Sequence, residues 1–170
     1  MTPAMESARR ATPADAARVI TLAADLRAEL AEERGGDLWR QTVRPTHLTS
    51  TDVDQAIDDP DATVLVGCLD GMVAGYALAH LAPLADGTQL AVVTELAVEP
   101  GAREVGVGEV LIETLVAWAG EKGCVGLDAT ALPGHRRAKN FFEAHGFTAR
   151  ELTMHRSLDP SGSEPRPADR

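Results

Sequence analysis

Cysteine is scarce in this sequence, which limits how the fold is held together. The 170 residues contain two cysteines, Cys68 and Cys124, and both lie in apolar stretches. Two thiols are too few for the disulfide framework on which many small secreted domains depend. We therefore expect two buried, reduced thiols, as is usual in a reducing cytoplasm.

Long hydrophobic runs are absent as well. No stretch approaches the roughly 20 consecutive apolar residues that cross a bilayer as a helix. The first 17 residues, MTPAMESARRATPADAA, lack the apolar centre of a secretory signal. We expect a soluble cytoplasmic protein with no membrane partner.

Basic residues are in the minority. The sequence has 16 lysines and arginines against 26 aspartates and glutamates, which gives a formal net charge of −10. This balance argues against a general nucleic-acid-binding protein, because such proteins need a basic surface for the phosphates. An acidic surface suits cationic small molecules or basic peptides, although it is equally ordinary as a source of solubility. We predict no bound metal.

Apolar residues, by contrast, are plentiful enough for one core. They make up 44% of the chain, and its length fits a single domain. We see no internal repeat and no linker that would divide residues 1–158. The last twelve residues, 159–170, are polar and contain prolines, and we predict that they form a disordered tail.

Helices are predicted from capping signals and apolar spacing. Thr12 to Asp15 form a capping box, and apolar residues then recur at helical spacing up to the double glycine at 35 and 36. We predict a first helix over 13–33, an irregular segment over 37–50, a short helix near 51–58, a helix that begins in the glycine loop at 106–108, and a short helix around Phe141.

Strands are predicted from β-rich runs and turn residues. Asp70-Gly71 lies between two such runs and is a strong hairpin signal. The interleaved order of helices and strands predicts an α/β fold, a mixed sheet with helices on its faces. The predicted strands are 7–11, 62–69, 72–81, 88–100, 124–132 and 147–158.

The most informative segment, 95–119, runs from an apolar strand through a loop with Gly106 and Gly108 into an amphipathic helix. Free N–H groups at a helix N-terminus carry the positive end of the helix dipole and bind anions. Glycine lets a ligand approach the backbone closely. The segment therefore predicts a phosphate site.

Two common phosphate-binding loops fit this segment poorly. A nucleotide-hydrolase loop needs a lysine and a serine or threonine after its last glycine, where this chain has Glu109 and Val110. A dinucleotide-binding fingerprint needs a third glycine, where this chain has Leu111. A different phosphate ligand is therefore indicated.

A third pattern, Arg/Gln-x-x-Gly-x-Gly/Ala, fits residues 103–108, which follow the motif Leu-Ala-Val-x-Pro. The run AKNFFEAHGF occurs about 30 residues later. With these two motifs the chain resembles the GNAT superfamily of acyl-CoA-dependent N-acyltransferases. The resemblance implies a single-domain, mixed and mostly antiparallel sheet that is flanked by helices and splayed between its fourth and fifth strands. It also implies acetyl-CoA as the cofactor.

The resemblance implies where the coenzyme binds. The fourth strand would bulge at Leu96, Ala97 and Val98, where free backbone groups pair with the pantetheine arm. The amides from Arg103 through Gly108 would receive the pyrophosphate. The complete cofactor-binding set is Leu96, Ala97, Val98, Arg103, Glu104, Val105, Gly106, Val107, Gly108, His135, Asn140 and Phe142.

Three residues are candidates for catalysis. Glu95 precedes the implied bulge, where related chains carry an acidic residue that deprotonates the amine; alternatively it orients a cationic substrate. His80 is a second candidate base, although lone histidines are more often structural. His135 stands at the start of the last helix, where it would bind the cofactor or act as an acid, unless it simply begins the helix.

The usual general acid is missing. Related chains place a tyrosine where this one has Phe142, and the single tyrosine, Tyr76, lies in the hairpin, where packing is the default explanation. Since a thiol has a pKa near 8.5, a thiolate is a tolerable leaving group. The sequence therefore predicts an N-acetyltransferase, with a catalytically degenerate acyl-CoA-binding sensor or interaction module as the alternative.

The acceptor is poorly determined by the sequence. The resemblance implies that the first two helices and their connection flank the substrate, so Glu33, Trp39 and Glu95 are candidate substrate contacts. A solvated acidic helix end explains Glu33 equally well. A small-molecule or peptide amine is expected, and an aminoglycoside, a polyamine, an amino acid and a protein lysine all remain open. Edge strands make a homodimer reasonable.

Overall fold

The computed structural model describes residues 5–42 and 47–158, which form a five-stranded sheet with helices on both faces. The predicted tail at 159–170 and part of the predicted irregular segment, residues 43–46, lie outside the described residues. The strands are β1 (Glu6–Arg10), β2 (Ala62–Leu69), β3 (Met72–Pro83), β4 (Gln89–Val98) and β5 (Gly126–Ala129), and the helices are α1 (Ala16–Ala31), α2 (Gly36–Thr42), α3 (Ser50–Asp58), α4 (Val107–Glu121) and α5 (Arg136–Ala144).

The strands lie in the order β1-β2-β3-β4-β5. The first four are antiparallel to their neighbours, and β5 runs parallel to β4. Pairing between β4 and β5 ends at Val93 opposite Ala129, although β4 continues to Val98. The prediction of a mixed, mostly antiparallel sheet that splays between its fourth and fifth strands is confirmed.

The bulge in β4 lies at Thr94. Leu78 of β3 pairs with Glu95, while the next residue, Ala79, pairs with Val93, so Thr94 has no partner on β3. The implied bulge at Leu96, Ala97 and Val98 is therefore misplaced. Those three residues continue the regular ladder with β3, because the extra residue has already been accommodated at Thr94.

Helices cover both faces of the sheet. On one face α4 buries an apolar stripe that includes Leu111 and Leu115 against β2, β3 and β4. On the other face α1 and α3 cover Val64, Val66 and Tyr76. Two separate apolar clusters result, and the sheet is buried on both sides. No described helix combines the length and the apolar character needed to cross a bilayer.

The chain enters α1 through a capped turn. Asp15 accepts hydrogen bonds from the Thr12 amide (2.8 Å) and from both terminal nitrogens of Arg9 (2.7 and 2.9 Å). The bonds from Arg9, followed by those from Thr12, hold the pKa of the Asp15 carboxyl well below its ordinary value despite its burial. The capping box predicted at residues 12–15 is confirmed.

Replacing Asp15 with alanine should lower the free energy of unfolding at pH 7 by about 1–2 kcal/mol, since a cap is lost. Because folding lowers the pKa of this carboxyl, its stabilising effect is complete above the unfolded value of 3.8 and is lost as pH falls toward the folded value. Urea denaturation of parent and variant should therefore converge in acid. Asp37→Ala, at an exposed site, is the matched control, and an equal loss at both positions would contradict this reading.

Two elements differ from the sequence predictions. Residues 36–42 form α2 rather than an irregular segment. The first helix ends at Ala31, and after a turn that includes Gly35 at φ 85° a second helix starts, with Asp37 in its first turn, where a negative charge suits the helix dipole. The predicted last strand, 147–158, is not formed. A β-rich segment becomes a strand only against a partner edge, and Arg150 reaches β5 only through its side chain, which pairs with Asp128.

Both cysteines are free thiols, as predicted, but their burial differs. Cys68 is buried under α1, whereas Cys124 is only partly buried at the end of the connection from α4 to β5. The predicted strand at 124–132 shortens to Gly126–Ala129, which leaves Thr130 to Leu132 outside the sheet.

Candidate active site

An open cleft lies where β4 and β5 separate. The empty space of this cleft, counted together with the solvent at its open mouth, is about 510 Å³. The cleft brings together several residues singled out by the sequence, namely Trp39, Glu95, Leu96, His135 and Phe142. The other lining residues are Leu26 and Leu30 of α1, Val93 and Thr94 of β4, Thr130 to Leu132 after β5, and Ala138 of α5.

The loop before α4 presents free amides near the end of β4. Arg103 donates a long hydrogen bond of 3.5 Å from its amide to Pro100, but the amides of residues 104–108 donate to no oxygen atom of residues 5–42 and 47–158. Glu104 at φ 66° and Gly106 at φ 91° give the backbone the left-handed turns that direct it into the helix. Free amides at a helix N-terminus suit a phosphate group.

The two glycines of this loop have different roles. Gly106 needs its positive φ, and a Cβ there would lie 3.0 Å from Cγ of Glu6 on β1. Gly108 lies where α4, α5 and β4 meet. A Cβ at this position would lie 3.0 Å from the Phe141 ring and 3.8 Å from the side chain of Val98. Gly108 therefore lets the Phe141 ring of α5 pack directly against the first turn of α4.

Beyond Val93, the edge of β4 that faces β5 has no neighbouring strand in the described part of the chain, while the opposite edge still pairs with β3. The Val98 carbonyl on this segment accepts a hydrogen bond of 2.8 Å from Nε of Arg103. A terminal nitrogen of the same guanidinium donates to Glu29 at 2.5 Å. The guanidinium of Arg103 is therefore engaged within the protein, and only the main chain of this residue faces the loop.

Glu29 of α1 connects the loop before α4 with the start of α5. Besides Arg103 it faces His135 (3.7 Å) and Arg137 (3.8 Å) at the start of α5. Burial alone would raise the pKa of Glu29, but the hydrogen bond and charge of Arg103, with the charges of His135 and Arg137, lower it below its ordinary value. Glu29 is thus an anion at neutral pH, and the imidazole of His135 has a carboxylate beside it.

Glu95 is buried, with 5% of its surface exposed, and both of its carboxylate oxygens are engaged. One accepts a hydrogen bond from Arg27 of α1, which is 7% exposed, and the other accepts from the Tyr76 hydroxyl. Burial, followed by the Glu95 charge, raises the pKa of Tyr76 well above its ordinary value. The single tyrosine therefore holds Glu95 rather than facing a leaving group.

The remaining candidate residues lie elsewhere. His80 is exposed and lines a second cavity, on the α3 side of the sheet. Glu33 lies beside Gly134, and Asn140 is exposed on α5; neither is among the residues that line the cleft. Among the described residues, no three histidine, cysteine or acidic side chains are grouped so that they would hold a metal ion.

The sequence reasoning missed two residues of the site. Arg27 follows Ala16, Val19 and Ala23 at helical spacing, and a charged residue on a buried stripe is a signal for a buried ion pair. Glu29 carries no such signal, because its partners Arg103 and His135 lie more than 70 residues further along the chain. The His135 side chain makes no hydrogen bond that caps α5, which leaves the imidazole available within the cleft.

A sequence model of the acetyltransferase (GNAT) family matches residues 26–147. No curated protein matches the chain. Among solved structures, a mutant of the BH1408 protein from Bacillus halodurans is similar, with 23% identity and a TM-score of 0.78 over 89% of this chain and 98% of that one.

Two further structures with this fold carry descriptive names. Ribosomal-protein-alanine N-acetyltransferase from Brucella melitensis is 18% identical, with a TM-score of 0.67 over 91% of this chain and 100% of that one. Aminoglycoside N-acetyltransferase AAC(6')-Iy in complex with CoA is also 18% identical, with a TM-score of 0.69 over 94% of this chain and 100% of that one.

Proposed function

The chain belongs to the GNAT family of acetyltransferases, and we propose that it transfers an acetyl group from acetyl-CoA to a primary amine of a small molecule or peptide by direct attack. The observation that carries this proposal is the run of free amides at residues 104–108, which ends beside Val98 at the open edge of β4. A phosphate-bearing ligand with a long arm fits such an arrangement.

We assign the coenzyme to this chain's residues as follows. The amides of residues 104–108 hold the diphosphate, and the free edge of β4 at Leu96, Ala97 and Val98 lies along the pantetheine arm. His135 and Phe142 line the cleft, and we assign them to the coenzyme together with Asn140 on the exposed side of α5.

Acetyl-CoA supplies the acyl carbon: the neutral amine nitrogen bonds to it, the carbon–sulfur bond breaks, and the sulfur leaves as a thiolate that takes a proton. The protein must therefore remove a proton from the ammonium group of the acceptor. Glu95 is poorly suited, since Arg27 and Tyr76 engage both of its oxygens. We assign the base to His135, which lines the cleft with a carboxylate 3.7 Å from its Nε2.

The other candidates then have different roles. Glu95 forms a buried ion pair with Arg27 beside the cleft, and Trp39 offers a ring to a cationic acceptor. Phe142 lines the cleft without a proton to donate, so solvent protonates the leaving thiolate. The absence of that acid, together with the engaged Glu95, favours a second candidate function, an acyl-CoA-binding sensor that does not turn over.

Replacing His135 with glutamine should reduce kcat about a hundredfold or more, since a positioned base contributes roughly 10²–10⁴ in rate. The KM for acetyl-CoA should change little. Release of free thiol, followed with a colorimetric reagent, measures both constants. His155→Gln changes an exposed histidine outside the cleft and should leave kcat unchanged. A similar kcat in the parent and in His135→Gln would show that His135 is not the base.

The overall proposal is tested by incubating the protein with acetyl-CoA and a panel of amines and measuring free thiol and acetylated product. Transfer to at least one amine supports the enzyme. Saturable binding of acetyl-CoA without release of thiol, whatever the amine, would instead support the sensor. A protein that binds neither CoA nor acetyl-CoA would contradict both functions.

A further inference from the structure

The cleft lies between two apolar clusters on opposite faces of the sheet. At one end, Leu96 of β4 and Phe142 of α5 pack against the cluster under α4, and both are assigned to the coenzyme. The other end, which we call the apolar end, is formed by side chains of the cluster under α1, namely Leu26, Leu30, Trp39 and Leu132. The coenzyme assignment leaves the apolar end for the acceptor.

The apolar end adjoins the proposed base. Leu132 and His135 belong to one turn, in which the Leu132 carbonyl accepts a hydrogen bond of 3.0 Å from the His135 amide. Leu26 and Leu30, each 8% exposed, lie one turn apart on α1 and both line the cleft. An amino group at His135 would therefore have its carbon skeleton next to apolar side chains.

The carboxylates near this end are already paired within the protein. Glu95 is the only acidic residue among the described residues that line the cleft, and both of its oxygens are engaged, one of them by Arg27. Glu29 lies beside His135, but it forms an ion pair with Arg103. A second ammonium group on the acceptor would lose its hydration at the apolar end without gaining an anion, which is unfavourable.

We propose that the acceptor is a primary monoamine with an apolar carbon skeleton. Its amino group lies at His135, and its carbon skeleton packs against Leu132, the α1 leucines and the Trp39 ring. This inference rests on the proposed acetyl transfer, because that function is the reason for placing an amine at His135.

The lining of the cleft favours this class over the other amines. Polyamines and aminoglycosides carry several ammonium groups, and the apolar end offers them no free carboxylate. An amino acid carries a carboxylate, and the described residues that line the cleft include no lysine or arginine to receive it. A methylene group gains affinity here instead, about fourfold for each one that is fully buried.

The test compares 1-aminopentane with 1,4-diaminobutane. The two chains are equally long, and they differ only in ending on a methyl or on an ammonium group. Each amine is titrated into ¹⁵N-labelled protein in the presence of CoA, which has no acetyl group to transfer. Aminopentane should bind at least fivefold tighter. The indole resonance of Trp39 should shift, whereas that of Trp118, which is 7% exposed in the cluster under α4, should not.

A pair of variants moves one carboxylate between two sites. Leu132→Glu places a charge at the apolar end and should remove the preference for aminopentane, because the second ammonium group of diaminobutane then has a partner. Leu84→Glu makes the same change in the connection between β3 and β4, at a residue that is 37% exposed and does not line the cleft. This control should keep the parent's preference.

A ratio below fivefold in the parent, no saturable binding of aminopentane, or an unchanged Trp39 resonance would each overturn the proposal. If hexanoyl-CoA shifted Trp39 and aminopentane did not, the apolar end would hold an acyl chain. Because the parent decides these results, they do not depend on whether a variant folds. Acetyl transfer is measured separately: binding of aminopentane at Trp39 without transfer to any amine would refute only the acetyltransferase function, whereas transfer that favours diaminobutane would refute only the acceptor class.

Discussion

Replacing Arg27 with methionine is expected to lower the free energy of unfolding by about 3–5 kcal/mol, the usual effect of breaking a buried ion pair. Glu95 would then hold its negative charge in the interior with only the Tyr76 hydroxyl beside it. Methionine fills similar volume, so lost packing contributes little. Urea denaturation at pH 7, with parent and variant measured side by side, gives the difference directly.

Two further variants separate charge from packing. Arg27→Met combined with Glu95→Gln should recover part of the loss, because no uncompensated charge remains. Arg18 lies on the same helix as Arg27 and forms a partly exposed ion pair with Glu99, so Arg18→Met should cost only about 0–1 kcal/mol. If Arg27→Met were no more harmful than Arg18→Met, the contact between Arg27 and Glu95 would not be a stabilising part of the fold.

Replacing Gly108 with valine is expected to weaken CoA binding about a hundredfold, or about 2.7 kcal/mol. The added side chain would press against the Phe141 ring, which lies 3.0 Å from the position of a Cβ, and would crowd the free amides of the adjoining loop. Valine is a better helix former than glycine, so α4 itself should not be weakened. Calorimetric titration with CoA measures the affinity, and thermal unfolding verifies the fold.

Gly101 offers the matched control for this change. A Cβ at Gly101 meets no atom within 4 Å, so Gly101→Val should leave CoA binding intact. Gly106 is less informative, because its φ of 91° strains any side chain and would confuse a binding effect with a folding effect. Normal CoA affinity in Gly108→Val, with the fold preserved, would mean that the coenzyme does not pass between β4 and α5.

The elements that the sequence predicted well depend on local signals. The Asp-Gly turn at 70–71, the capping box at 12–15 and the glycine loop before α4 each contain in a few adjacent residues the information that determines their structure. The splay of the sheet followed from the family resemblance. By contrast, the position of the bulge depends on the pairing of β4 with β3, which a single strand does not encode.

The parts that were missed depend on tertiary contacts. Arg27 and Glu95 are 68 residues apart, so neither position indicates by itself that the other will neutralise it. The segment 147–158 has the residues of a strand, but its pairing depends on the edge that β5 offers. For the same reason the sequence identified Glu95 and His135 as candidates, but it did not indicate that Arg27, Tyr76 and Glu29 would be their partners.

The most direct test of coenzyme binding is to titrate ¹⁵N-labelled protein with CoA and record the backbone amide resonances. If the main chain of residues 104–108 binds the diphosphate, those amides should undergo the largest changes and saturate at one equivalent, and the changes should be lost in Gly108→Val. Saturable binding of CoA that leaves the amides of residues 104–108 unchanged would contradict the proposed site.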